Sequence, residues 1–304
     1  MQRLLYFVLA VALVACSADD SASKSKHVLV IGVDGLLVEG LQEASTPVLD
    51  SLIADGAVTY DAFAGGELGS ATEQATFSGP GWSSILTGVW VDKHGVTDNG
   101  FMGARYDEYP HFFARVREKN PNVYLSSFAS WQLINFVIVE SAEVDEVFTP
   151  LVPSSEEADL EVTAAVVKHL EEQTPDVAFV HLDEVDHQGH VVGYSAEVPE
   201  YLAAIETVDS QIGEMLAAVE ARPTHPTEDW LIVVATDHGG IGQVHGGQSD
   251  EERTIPLIAS GGAIVPGQVL TPGPGHTAVP PTVMRHLNLG VDAGWGWESE
   301  PFGF

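Results

Sequence analysis

The sequence contains very little cysteine and very few basic residues. Its 304 residues include a single cysteine, Cys16, which rules out a disulfide bond within the chain. Only 12 residues are Lys or Arg, against 44 Asp or Glu, and the formal net charge at pH 7 is -32. Because binding to a nucleic-acid duplex needs a basic face, this composition argues against that class of partner. The acidity fits either a solvated surface suited to a salty habitat or ordinary compositional drift.

The N-terminal segment has the pattern of a targeting signal. Arg3 precedes an apolar run over residues 4–15, which is too short to span a membrane as a stable helix. The run ends in Leu-Val-Ala-Cys16, which resembles a bacterial lipoprotein cleavage box. We therefore expect a signal peptide over residues 1–16 with a lipid on Cys16, then a flexible tether over residues 17–26. This predicts an exported periplasmic or envelope protein that meets the membrane only through its lipid. The alternative is a plain secretory signal with an incidental cysteine.

Beyond residue 26, segments with the pattern of strands alternate with segments that have the pattern of helices. The hydrophobic content of 45% supplies a substantial core. We predict an α/β fold, a three-layer α/β/α sandwich with a mostly parallel central sheet, over residues 27–289, and a surface tail over residues 290–304. Predicted strands cover residues 27–33, 123–127, 144–148, 177–182, 230–236 and 255–259. Predicted helices cover residues 46–55, 154–173, 201–221 and 277–287.

Acidic and histidine residues follow three of the predicted strands, namely Asp34, Asp186 and the pair Asp237-His238. Because the carboxyl ends of parallel strands meet at one edge of a sheet, we expect these side chains to converge there. A lone Asp-His pair in a loop is more often a cap or a surface pair than a ligand, but several such groups at strand ends reverse that expectation. Carboxylate oxygens and imidazole nitrogens are ligands of zinc and related ions, so the pattern predicts a metal site.

The spacing within these segments indicates how ions could be held. Asp186 and His190 are four positions apart with Gly189 between them, so one loop or one helical turn can direct both side chains at a single ion. Asp237 and His238 are adjacent and can share an ion only if the chain turns there, which the two following glycines permit. His245 lies shortly beyond them as a further ligand. These residues are sufficient for two divalent ions, for which zinc is our expectation.

Ser78 is the candidate nucleophile. It begins the segment Ser-Gly-Pro-Gly, which we expect to form a sharp turn ahead of a helix that starts near Trp82. Its oxygen would then lie by a helix N-terminus, whose partial positive charge stabilises an alkoxide or a phosphoryl oxygen. The alternative is that Ser78 merely caps this helix. Beside two metal ions, which make a hydroxyl nucleophilic at neutral pH, the role of nucleophile is favoured.

Taken together, these motifs resemble the alkaline phosphatase superfamily, and within it the type I phosphodiesterase/nucleotide pyrophosphatase branch. The resemblance covers about residues 27–289. It is carried by Val-Ile-Gly-Val-Asp34-Gly, Ser45-Thr-Pro-Val-Leu-Asp-Ser-Leu-Ile-Ala-Asp-Gly56, Ser78-x-Pro80 before Leu86-Thr-Gly88, His94-Gly-Val-Thr-Asp-Asn99, Asp186-x-x-Gly-His190, Asp237-His238-Gly and His245-Gly.

The resemblance implies a set of ligands for each ion. One zinc would be bound by Asp34, Ser78, Asp237 and His238, and the other by Asp186, His190 and His245. Thr76 is a nearby hydroxyl that competes with Ser78, but Ser78 keeps the spacing to Pro80 that the family shows. His276 competes for the last ligand position, but the family histidine comes just before a strand, as His245 does here.

Departures from the superfamily pattern narrow the expected activity. Trp82 stands where sulfatases carry an arginine, which argues against sulfatase activity. Asn99 lies where phosphodiesterases hold a non-bridging phosphoryl oxygen, and we expect it to act there with the amide of residue 79. An uncharged donor suits a diester, so the expected substrate is a small phosphate diester or pyrophosphate, cleaved through a phosphoserine. The alternatives are a phosphomonoesterase or phosphonate hydrolase on the same site, and a non-catalytic envelope lipoprotein.

Overall fold

A computed structural model describes residues 24–140 and 143–304. The predicted signal peptide, Cys16 and most of the predicted tether lie outside these residues. Within the described residues, no helix combines the length and the apolar character needed to cross a membrane.

One mixed sheet forms the centre of the molecule, with the strand order β4-β3-β5-β1-β6-β7-β2-β8. Strand β7 runs antiparallel to both of its neighbours, and the other neighbouring strands run parallel. The predicted mostly parallel sheet is therefore confirmed. The strands are β1 (Ser25–Val33), β2 (Gly56–Phe63), β3 (Leu125–Ala129), β4 (Glu146–Phe148), β5 (Val177–Leu182), β6 (Glu228–Ala235), β7 (Thr254–Gly261) and β8 (Gln268–Val269).

Helices cover both faces of this sheet. They are α1 (Val38–Glu43), α2 (Pro47–Ala54), α3 (Ser78–Thr87), α4 (Val91–His94), α5 (Phe112–Lys119), α6 (Ser155–Glu172), α7 (Glu184–Val192), α8 (Pro199–Glu220), α9 (Asp250–Arg253) and α10 (Val279–His286). Shorter helical segments follow the 3-10 pattern at His225–Thr227, His276–Ala278 and Ala293–Trp295, and the π pattern at Ile134–Ile138.

The core has two halves, one on each face of the sheet. Strand side chains alternate between faces, so Val28 and Val30 of β1 pack in one half while Leu29 and Ile31 pack in the other. All four are fully buried, and burial of such a side chain stabilises the fold by roughly 1.5–3 kcal/mol. Helices α3, α5 and α10 cover the first half, and α6 and α8 cover the second. This is the predicted three-layer α/β/α sandwich.

The main local difference from the sequence prediction is the start of α3. The helix begins at Ser78, and the predicted turn of Gly79, Pro80 and Gly81 is its first turn. Proline is tolerated there because the first N–H groups of a helix have no intrahelical partner. The amide of Gly81 donates to the carbonyl of Phe77 at 3.0 Å, which closes this turn. The N-cap position belongs to Phe77, so the capping role for Ser78 was wrong.

Both ends of the described chain join the sheet or core more closely than the sequence predicts. Strand β1 begins at Ser25, so the last two residues of the predicted tether pair with β6.

In the C-terminal tail, Trp295 and Phe302 are buried and pack into the core half that α3 and α10 cover. Large aromatic side chains gain more from burial than small ones, which accounts for these two buried rings in a segment whose residues 290–301 are otherwise exposed or half-buried.

Candidate metal centre

The predicted ligands gather at one edge of the sheet. Strands β5, β1 and β6 are neighbours and parallel, so their carboxyl ends lie side by side. Asp34 directly follows β1, Asp237 and His238 follow β6 after one residue, and Asp186 lies in the first turn of α7 beyond β5. Side chains more than 200 positions apart in sequence are thereby brought into contact.

The first group of ligands is Asp34, Asp237 and His238, which are all fully buried. The Nε2 atom of His238 lies 3.4 Å from Oδ1 of Asp34 and 3.2 Å from Oδ2 of Asp237. Neither of these two carboxylate oxygens has a hydrogen-bond donor among the described residues. Buried carboxylate oxygens without donors are costly, and they are the atoms that a cation would engage.

Ser78 lies against this first group. Its Oγ is 3.3 Å from Nε2 of His238, and its side chain is buried. Helix α3 reaches this position because Gly81 lies against Asp237, where a Cβ atom on Gly81 would come within 2.7 Å of the Asp237 Cβ. The glycine thus permits the close approach of the helix to the strand end.

The second group is Asp186, His190 and His245. Oδ2 of Asp186 lies 3.4 Å from Nε2 of His190, and Oδ1 lies 3.7 Å from Nε2 of His245. The two histidine Nε2 atoms are 3.0 Å apart. The groups adjoin each other, because the rings of His238 and His245 are stacked with centroids 3.7 Å apart. The structure therefore brings together all seven predicted ligands.

Hydrogen bonds fix the orientation of all three histidines in the same way. Nδ1 of His190 lies 3.0 Å from the carbonyl of Gln243, and Nδ1 of His238 lies 2.8 Å from that of Gly239. Nδ1 of His245 lies 2.8 Å from the carbonyl oxygen of Thr76. A carbonyl only accepts, so each Nδ1 carries a proton, and each Nε2 is the ring nitrogen that faces the carboxylates. Metal-binding histidines are held in this way.

The charges in the cluster also favour a cation. Burial, with the negative charge of Asp34, raises the pKa of Asp186 to about 6. Burial and the charges of Asp34 and Asp186 raise the pKa of Asp237 well above its ordinary value. Burial also lowers the pKa of His238 to about 3, with His245 adding to the effect, so its imidazole is neutral. Crowded carboxylates beside the neutral imidazole of His238 fit a divalent ion, whose positive charge would offset the repulsion.

Two further residues, His181 and Trp82, hold Asp34 in place. Nε2 of His181 lies 3.1 Å from Oδ2 of Asp34, and Nε1 of Trp82 donates to the same oxygen at 2.8 Å. Burial opposes ionisation of Asp34, but the hydrogen bond to His181 and the nearby His238 bring its pKa below the ordinary value. Sequence reasoning missed both roles. The only signal was a histidine inside the apolar strand β5.

Asn99 lies beside the first turn of α3. Its Oδ1 accepts a hydrogen bond from the amide of Gly79 at 2.7 Å, next to Ser78, and its side chain is exposed. This corrects one expectation: the Gly79 amide is bonded to Asn99 and is not a free donor for substrate. The bond fixes the amide oxygen of Asn99 against the helix and leaves its nitrogen as the donor.

The two competing candidates, Thr76 and His276, are engaged elsewhere. The hydroxyl of Thr76 donates to the carbonyl of Gly247 at 2.9 Å and accepts from the amide of Gly246 at 3.0 Å. His276 is buried and stacked on Trp90 with ring centroids 5.0 Å apart. Among the described residues, His276 belongs to none of the groups whose ligand atoms lie close enough to share an ion, whereas His245 forms such a group with Asp186 and His238. His190 is in none of these groups either, but its Nε2 lies 3.0 Å from that of His245.

Comparison with known proteins identifies the family. The family model for type I phosphodiesterase/nucleotide pyrophosphatase matches residues 28–248. The chain therefore belongs to this family. A phosphopentomutase of Methylobacterium sp. (strain 4-46) is 30% identical over 154 residues, which are 49% of this chain and 33% of that protein. The match thus spans a third of the length of this curated relative.

Solved structures confirm the fold class. Murine ectonucleotide pyrophosphatase/phosphodiesterase 5, solved in complex with AMP, is 14% identical with a TM-score of 0.66, covering 87% of this chain and 96% of that one. A phosphonate monoester hydrolase from Silicibacter pomeroyi is 15% identical with a TM-score of 0.67, covering 91% and 76%. A 2-O GAG sulfatase is 14% identical with a TM-score of 0.69, covering 89% and 72%. The fold is that of the alkaline phosphatase superfamily.

Proposed function

We propose that this protein hydrolyses phosphate diesters at a centre of two zinc-class ions, with Ser78 as the nucleophile. One observation carries the proposal: two groups of carboxylates and histidines adjoin each other at the sheet edge, with the Ser78 hydroxyl 3.3 Å from His238. Membership of the type I phosphodiesterase/nucleotide pyrophosphatase family supports the same reaction class.

The proposed division of the ligands between the two ions follows the family resemblance. Asp34, Asp237 and His238, with Ser78, would hold one ion, and Asp186, His190 and His245 would hold the other. Mixed nitrogen and oxygen donors suit zinc better than magnesium or calcium, which prefer oxygen alone. When bound, such a pair of ions lowers the pKa of a hydroxyl and offsets the charge that develops on the attacking and departing oxygens.

The reaction that we propose proceeds in two displacements at phosphorus. In the first, a bond forms between Ser78 Oγ and phosphorus while the bond from phosphorus to the leaving alcohol breaks. In the second, a water oxygen bonds to phosphorus, the bond to Ser78 Oγ breaks and the monoester product leaves. The buried position of Ser78 limits competing attack by bulk water on the first step.

The preference for a diester is supported by the contacts of the candidate ligand carboxylates. Within residues 24–140 and 143–304, the carboxylates of Asp34, Asp186 and Asp237 interact with His, Trp, Tyr and backbone groups but with no Lys or Arg. Asn99 supplies an uncharged donor beside Ser78. A monoester carries one more negative charge than a diester and gains more from a cationic clamp. The site therefore favours the diester.

Removal of the Ser78 hydroxyl tests the nucleophile. We expect Ser78→Ala to lose hydrolysis of bis(p-nitrophenyl) phosphate by at least about a thousand-fold while still binding zinc. The matched control is Ser126→Ala, which removes the same atom from a buried serine of β3 whose Oγ faces the carbonyl of Val177. Activity of Ser78→Ala close to that of Ser126→Ala would refute the assignment. Faster cleavage of p-nitrophenyl phosphate than of the bis-ester would favour a phosphomonoesterase.

A further inference from the structure

Tyr194 lies just beyond the C-terminus of α7 and faces back toward the metal centre. Gly193, with φ of +117°, ends the helix and reverses the chain, and the amide of Tyr194 donates to the carbonyl of Gly242 at 2.7 Å. The side chain is only 4% exposed. It is thus fixed between helix α7 and the loop that follows His238.

The hydroxyl of Tyr194 interacts with one ligand of the second group. It donates to Oδ1 of Asp186, and it also lies 3.2 Å from the backbone carbonyl of the same residue. This is the one tyrosine hydroxyl in the described part of the chain that bonds to a candidate metal ligand. The contact selects the direction in which the Asp186 carboxylate presents its remaining lone pairs.

The ring of Tyr194 contacts the other two ligands of the second group. Its centroid lies 5.5 Å from that of His190 and 6.1 Å from that of His245, both in edge-to-face geometry. One side chain therefore touches all three residues that would hold the second ion. It touches none of the residues of the first group through a hydrogen bond or ring contact among those described.

Two glycines make room for this ring. A Cβ atom on Gly189 would come within 2.2 Å of Cε1 of Tyr194, and one on Gly240 would come within 2.5 Å of its Cγ. Gly189 precedes His190 directly, and Gly240 is two residues beyond His238. The ring is therefore held between the two segments that supply histidine ligands, and its position determines their separation.

We propose that Tyr194 is a positioning residue that sets the affinity of the second metal site by holding Asp186, His190 and His245 in one arrangement. The inference rests on the two-ion centre proposed above. The role is distinct from that of Ser78 or Asn99, because Tyr194 acts on the ligands and not on the substrate. Removing an outer-shell partner of this kind reduces metal affinity by about 10–100-fold.

Zinc titration of the metal-free full-length protein against a chromophoric chelator tests the proposal. Tyr194→Phe keeps the ring and removes the hydroxyl, and we expect it to weaken one of two zinc-binding steps by about 10-fold or more and leave the other unchanged. His190→Ala identifies which step belongs to the second site. The matched control is Tyr124→Phe, since the Tyr124 hydroxyl donates at 3.4 Å to Glu146, a residue outside the candidate ligand groups.

A second variant and a folding check distinguish a loss of metal affinity from a loss of folding. In Gly189→Ala, the added methyl group on helix α7 would clash with the Tyr194 ring. We expect this variant to weaken the same zinc-binding step as Tyr194→Phe. Circular dichroism of each metal-free variant shows whether it folds. Two unchanged zinc affinities in Tyr194→Phe, or equal weakening of both steps, would overturn the role of Tyr194. If the parent protein binds fewer than two ions, the two-ion centre itself is wrong.

Discussion

The ring of His245 is held by the carbonyl of Thr76, two residues before the proposed nucleophile. His245 Nδ1 donates to this carbonyl at 2.8 Å, while the Thr76 hydroxyl bonds to the amide of Gly246 and the carbonyl of Gly247. Three hydrogen bonds thus join the segment that carries Ser78 to the segment that carries His245, a candidate ligand of the proposed second ion. The position of the proposed nucleophile and that of the candidate metal centre are linked through Thr76.

Loss of the Thr76 hydroxyl should therefore weaken zinc binding at the second site. Thr76→Val keeps the shape of the side chain but leaves the amide of Gly246 and the carbonyl of Gly247 without their partner. We expect about 10-fold weaker binding at the second site, measured by chelator competition. Thr76→Ser retains the hydroxyl and should restore the parent affinity. Equal affinities in the valine and serine variants would show that the hydroxyl plays no part.

Asn99 should contribute to the rate because its Oδ1 accepts from the Gly79 amide beside Ser78, which leaves its amide nitrogen as the donor for a phosphoryl oxygen. We expect Asn99→Ala to reduce kcat for bis(p-nitrophenyl) phosphate by about 100-fold, the usual cost of losing one donor to a developing oxyanion. Asn99→Asp should be slower still, since a carboxylate repels the phosphoryl oxygens. Initial rates check both variants against Asn122→Ala, a change at an exposed asparagine. Rates within two-fold of this control would exclude the role.

His94 should make the stability of the metal-free protein depend on pH. Its Nδ1 accepts from the amide of Val96 at 3.0 Å, and burial, with His276 and Arg105 adding to it, lowers its pKa from 6.5 to about 3. Between those values only the unfolded chain takes up the proton, so stability falls as the pH falls below 6.5. The expected loss is about 1.4 kcal/mol per pH unit.

Urea unfolding of the metal-free protein at pH 6 and pH 5 measures this dependence. In His94→Gln, the free energy of unfolding should fall less between the two pH values, by about 1.4 kcal/mol. The other buried histidines are present in both proteins, so the difference isolates His94. Identical pH dependence in parent and variant would mean that His94 is protonated in the folded protein or titrates equally in both states.

Cys16 should anchor the protein to a membrane, although it lies outside the described residues. We expect the protein expressed with its leader to sediment with the membrane fraction and to incorporate labelled palmitate. Cys16→Ser should lose the label and leave the membrane fraction. Labelling that persists in the variant, or a parent protein that remains in the soluble fraction, would favour the plain secretory signal.

The sequence was sufficient to predict the layers of the fold and the convergence of the ligands. Strand β5 occupies the predicted residues because five of its six residues are apolar and Asp176 and Asp183 bound the run. Strand β2 was missed because its sequence, Gly-Ala-Val-Thr-Tyr-Asp-Ala-Phe, has neither a continuous apolar run nor strict alternation. Its pairing with β7 is irregular between Thr59 and Ala62, which fits this mixed pattern.

The contacts of Tyr194 and His181 could not be predicted from sequence for a different reason. Nothing near Tyr194 in the chain indicates that its hydroxyl bonds to Asp186, because that contact needs the reversal at Gly193 and space beside Gly189 and Gly240. His181 bonds to Asp34, which is 147 positions away. These contacts depend on how strands and helices far apart in sequence pack together, whereas a sequence motif contains only the spacing of residues along the chain.

The proposed function requires two ions in adjacent sites beside Ser78. Anomalous diffraction at the zinc absorption edge, from crystals of the zinc-loaded protein, would locate them. We expect two peaks, one among Asp34, Asp237 and His238 and the other among Asp186, His190 and His245. A single peak, or peaks away from these side chains, would refute the two-ion centre.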